Sequence, residues 1–127
     1  MSINWERVTI YVRPGPTDMR KEINGLAVLV EEELTCDPFS GSLFLFCSRQ
    51  RTHLKILFWD RNGFWLALKR LEKDRFPWPE GEAQARQISV EHLHLLLDGI
   101  DFWNAHQGLH FSHAKWGRPT INSASIR

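Results

Sequence analysis

The sequence predicts a single compact α+β domain: an antiparallel sheet of four to five strands with a central hairpin, and two helices packed against it. Two runs of alternating apolar residues (Ile56 and Phe58, then Phe64, Leu66 and Leu68) flank an Asn62-Gly63 pair, the pattern of hairpin strands joined by a tight turn. A short solid apolar run, SLFLFC at residues 42–47, reads as a strand buried on both faces or covered by a helix. Two further segments repeat apolar residues at spacings of three and four, the period of a helix with one buried stripe.

The elements follow in order. Residues 7–12 alternate Val8, Ile10 and Val12 with polar neighbours and form a first strand, ended by Pro14-Gly15-Pro16. Thr17 is the expected N-cap of a first helix that carries Met19, Ile23, Leu26, Leu29, Val30 and Leu34 on one side. Asp37 to Gly41 has turn composition, and the apolar strand follows. Residues 48–52 are a polar loop, 53–60 and 64–71 the hairpin strands, with Asn62-Gly63 as the two positive-φ positions. Pro77-Trp78-Pro79 breaks the pattern and a charged loop runs to Arg86. Ser89 caps a second helix with Val90, Leu93, Leu96 and Leu97 as its apolar set, and Gly99 stops it. The expected core is Val8, Ile10, Leu26, Val30, Leu43, Leu45, Ile56, Phe58, Leu66, Leu68, Leu93 and Leu97. The domain is expected over residues 1–103, with 104–127 a loosely ordered polar tail.

At 127 residues one core can form without disulfides or metal. The net charge of +1 excludes a uniformly basic protein. Charge is unevenly placed, however: residues 49–75 hold eight Lys or Arg against three acids. Two cysteines, Cys36 and Cys47, are too few for a secreted disulfide scaffold and match no metal-knuckle spacing. The N-terminal stretch lacks a signal peptide's apolar run, and no stretch approaches the ~20 apolar residues that span a bilayer. A cytoplasmic protein is expected, nucleoid-associated if it binds DNA, with no membrane partner and no cofactor.

The cations and aromatics of residues 49–75 point to nucleic acid. Arg49, Arg51, Lys55, Arg61, Lys69, Arg70, Lys73 and Arg75 would contact phosphate, while Trp59 or Trp65 would stack on bases. Alternation suggests one sheet surface carrying Trp and Lys from both hairpin strands: Lys55 with Trp59, Trp65 with Lys69. The competing reading is a solvated strand face whose cations are partnered by Glu72 and Asp74. Exposed Trp beside Arg also suits a protein interface. His106, His110 and His113 have one-sided helical spacing, but Gly108 interrupts them and no acid lies nearby, so a polar tail is preferred to a zinc site. Asp18, Asp60, Asp98 and Asp101 could hold catalytic metal only if folding gathered them; as placed, they suit turns and helix ends. No catalytic or metal-binding residue is therefore assigned.

Four segments carry a family resemblance: GPTDMRKEINGLAVLV (15–30), DPFSGSLFLF (37–46), KILFWDRNGFWLALKRLEKDRFPWP (55–79) and LHLLLDGIDF (93–102). In this order they resemble the TnpB-type accessory protein encoded by the second open reading frame of the insertion sequence 66 family of bacterial transposable elements. The resemblance spans about residues 11–103. It implies a non-catalytic protein made beside a separate, larger transposase and assisting transposition, with DNA and the transposase as partners. It carries over no catalytic residues. The function expected is thus an accessory DNA-binding protein; the alternative is a module that recruits or stabilises the transposase without touching DNA. Oligomeric state is left open.

Overall fold

The structure, a computed structural model, describes residues 3–81 and 86–103. The expected tail and its three histidines lie outside the described residues. Strands β1 (Ile10–Pro16), β2 (Leu43–Cys47), β3 (His53–Asp60), β4 (Gly63–Arg70) and β5 (Arg86–Ile88) and helices α1 (Ile23–Glu32) and α2 (Val90–Leu97) make a single α+β domain. The strands form one sheet in the order β4-β3-β2-β1-β5. Four to five strands and two helices are as the sequence predicts. Two features differ: β1 pairs with β2 in parallel, making the sheet mixed, and the hairpin β3–β4 lies at one side of the sheet.

The parallel pair follows from the chain's path. Between β1 and β2 lie α1 and its flanking turns, a crossover long enough to return the chain in the same direction. Helix α1 lays Leu26, Leu29 and Val30 against Phe44, Phe46 and Leu57. Helix α2 lays Leu93 and Leu96 on the other face, with Ile10, Val12, Leu43, Leu45, Leu54 and Phe58. A helix thus covers each face, which is why all five residues of β2 are buried.

Several boundaries move. Strand β1 continues through Pro14-Gly15-Pro16 as an irregularity in its pairing with β2, tolerated because Gly15 adopts φ +78°. Thr17 is buried and does not cap α1: its N–H donates to Cys47 O (2.8 Å) and its Oγ1 accepts from Arg13. A turn held by Asp18 intervenes, and α1 begins only after the extended residue Glu22. Strand β5, not among the expected elements, begins at Arg86 where the expected charged loop ends and is recruited by antiparallel pairing with β1. Ser89 caps α2 as predicted, accepting from His92 N–H, and Gly99 ends it at φ +76°. Of the expected core, Leu68 is 60% exposed because β4 is an edge strand.

The hairpin turn also differs. Asp60 pairs with Gly63, so the loop is Arg61-Asn62. Arg61 alone takes positive φ (56°), and Asn62 N–H returns to Asp60 O, closing a three-residue turn.

Candidate nucleic-acid interface

Strands β1, β2 and β4 all end where β3 begins, and two loops meet there. In the first, residues 48–52, Ser48 Oγ accepts from the N–H groups of Thr52 and His53, and Arg51 takes φ 66°. The second, residues 71–80, is tied to the first by Leu71 N–H to Thr52 O (2.9 Å) and Phe76 N–H to Arg51 O (2.8 Å). It is then clamped across the sheet end. Trp78 is buried, and its indole N–H donates to both Arg13 O (2.9 Å) and Gly15 O (3.0 Å).

Arg51 belongs to this clamp: its guanidinium donates to Trp78 O (3.0 Å) and pairs with Glu80. Its charge serves to join the two loops. Lys55 is buried, with its ammonium on Met19 O (3.0 Å), Lys21 O (2.8 Å) and Glu22 Oε2 (2.8 Å). Three acceptors use all three of its donors, so the structure removes Lys55 from the phosphate-facing set. The sequence shows only a cation in an alternating strand; it does not show the carbonyls of residues 19–21 arriving above it.

The shared Trp/Lys surface does not form. Across a two-residue loop, an odd-numbered residue of β3 stands beside an even-numbered residue of β4. Trp59 therefore pairs with Phe64, and Trp65 with Phe58. Lys55 and Trp59 lie on the α1 face; Trp65 and Lys69 lie on the α2 face. Trp59 packs edge-on with Phe39 and Phe64 at ring separations of 5.0 and 5.1 Å. Trp65 is 46% exposed and its indole donates to Asp60 Oδ2 (3.0 Å). Arg61, Trp59 and Trp65 sit toward the hairpin turn, about 20 Å along the strands from the loop cluster, at ~3.3 Å per residue.

What gathers at the loop end is smaller than the predicted set. Arg49, Lys73 and Arg75 are exposed, with no ion pair among the described residues. Arg70 is bound to Glu72 (2.9 Å), and Lys69 donates to Leu97 O (3.1 Å) at the end of α2. Glu72 and Glu80 are thus each occupied by an arginine, and Asp74 is exposed without a hydrogen-bond or ion-pair partner among the described residues. The end is locally basic although the chain is nearly neutral.

Other titratable groups have structural partners. Asp18 is held well below the usual carboxylate range by the Arg20 guanidinium. The backbone N–H of Asp98 closes the end of α2, and the Asp101 carboxylate accepts from Trp103 N–H. Burial pushes the Cys47 thiol up to about 12 and raises that of Cys36. Among the described residues, no three His, Cys, Asp or Glu side chains come together as a metal site. No helix among them is long and apolar enough to cross a membrane.

The described residues thus form a small α+β domain, a two-faced mixed sheet whose clamped loop end carries exposed cations. The family described as IS66 Orf2-like protein matches residues 8–107, and the chain belongs to that family: it is an insertion-sequence accessory protein. Two proteins of Sinorhizobium fredii are similar to it. Uncharacterized protein y4hO is 40% identical over 97 residues, covering 76% of this chain and 84% of the relative. Uncharacterized protein y4jC is 36% identical over 93 residues, covering 73% and 80%. No solved structure matches the chain.

Proposed function

We propose that this insertion-sequence accessory protein binds the DNA backbone through Arg49, Lys73 and Arg75, and performs no catalytic step itself. The observation that carries the reading is the joining of residues 48–52 to residues 71–80 by two backbone hydrogen bonds, which brings cations from two separate loops to one sheet end. Arg51, Trp78 and Glu80 fix those loops, so the cations stand on a preordered platform. Such a site neutralises phosphates and releases counterions without reading sequence. Charge reversal at Arg49 and Lys73 should abolish duplex binding at low salt while leaving the circular dichroism spectrum unchanged. Retained binding in that variant contradicts the reading.

One observation favours a second reading. Phe39 is 54% exposed and packs edge-on against Trp59 and tilted against Phe64, an aromatic patch remote from the basic end. A protein partner such as the element's transposase would cover it. In that case the two proteins co-purify at high salt, and Phe39→Ser separates them.

A further inference from the structure

Strand β4 is the outer strand of the sheet, paired regularly with β3 over all eight residues. Leu71 N–H donates to Thr52 O, which sets the phase of the ladder: odd-numbered residues of β4 bond inward to β3. The backbone groups of Phe64, Leu66, Leu68 and Arg70 therefore point away from β3 and have no ladder partner among the described residues. Edge strands in monomeric proteins are blunted by short length, proline, bulges or charge. Strand β5, at the opposite edge, has three residues and carries an exposed arginine. Strand β4 has eight residues without a bulge, and its central stretch, Trp65 to Leu68, carries no charge.

Its sequence is also self-complementary. We propose that two copies of the chain pair antiparallel along β4 about a two-fold axis at Ala67, joining their sheets edge to edge. In this register Leu66 stands opposite Leu68 of the second copy, Trp65 opposite Lys69, and Phe64 opposite Arg70. Only outward-facing backbone groups meet, giving up to about eight hydrogen bonds. Each opposed pair keeps to its own face of the sheet, so each helix layer continues into the second copy. Both cations stand opposite aromatic residues rather than against each other, which avoids like-charge repulsion. Shifting the register by two residues in either direction loses these pairings: one way sets Trp65 against Ala67, the other sets Leu66 against Arg70. The second copy is thus the occupant that the charge and aromatic pattern of β4 fits.

Sedimentation equilibrium of the full chain from about 1 to 100 µM tests the pairing. The expected mass is twice the 14.9 kDa of the monomer. Leu68→Lys, an exposed change, is expected to weaken the dimer at least tenfold, because symmetry removes two Leu66–Leu68 contacts at once. A second test does not depend on disruption. In a Cys36→Ser background, Ala67→Cys should form an intermolecular disulfide under mild oxidation, since facing non-hydrogen-bonded residues bring their Cα atoms to about 4.5 Å. Lys69→Cys should not, because its counterpart lies about four residues away along the strand. A monomer across the whole range overturns the proposal, and β4 is then left to a heterologous partner. A dimer that neither weakens in Leu68→Lys nor cross-links through position 67 also overturns it, because its interface lies elsewhere.

Discussion

The ammonium of Lys55 lies 2.8 Å from Glu22 Oε2, yet the two side chains differ sharply in exposure: 8% for Lys55 and 73% for Glu22. The lysine is the fixed member of the pair. It ties the turn before α1 to the third strand through two carbonyls, and the carboxylate closes the site from the solvent side. Lys55→Met should cost about 2–3 kcal/mol, because Met19 and Lys21 carbonyls lose a charged donor in a buried place. Glu22→Gln should cost less than about 1 kcal/mol, since water screens the exposed partner. Urea denaturation midpoints check both. Equal effects would contradict the assignment of the lysine as the anchor.

Trp78 makes the corresponding clamp at the basic end. Its indole N–H serves two carbonyls of β1, where Gly15 interrupts regular pairing. Trp78→Phe keeps most of the apolar contact and removes only the donor. A loss of about 1–2 kcal/mol is expected, seen as a lowered Tm. Proteolysis within residues 71–80 should increase as well, because that segment is held down by this side chain.

The cysteines should behave unequally. Cys47 is wholly buried in β2, and a thiol pushed up to about 12 has on the order of one thiolate in ten thousand at pH 8. Cys36, in the turn after α1, is half-buried against the cluster beneath that helix. Iodoacetamide at pH 8 should modify native Cys36 first and reach Cys47 only on unfolding, read by mass spectrometry. Equal labelling in the native state would contradict the burial of β2.

Much of the fold is legible from local patterns. Residues 42–47 read as an apolar strand buried on both faces or covered by a helix, and Ser89 and Gly99 mark the ends of α2, because each signal acts within a few residues. What escapes the sequence depends on distant partners. Residues 86–88 form a strand only because β1 offers an open edge. Pro14 and Pro16 look like a strand end, yet β1 continues through them, held by Pro79 O and Trp78. The site was legible in composition but less so in placement. Arg49, Lys73 and Arg75 share one end of the sheet, whereas Lys55 and Arg51 are drawn into internal bonds by carbonyls and acids far away in the sequence. Trp59 and Trp65 are divided by the parity of the hairpin loop.

The most direct measurement for the DNA-binding account is fluorescence anisotropy of a labelled duplex at several salt concentrations. Three phosphate contacts predict a slope of log K against log salt of about −3, falling to about −2 in Arg49→Ala and toward zero when Arg49, Lys73 and Arg75 are all alanine. Lys55→Met, whose charge faces inward, should leave the slope unchanged. A flat salt dependence, or a slope untouched by the triple substitution, would contradict the assignment of the loop end as the DNA-binding surface.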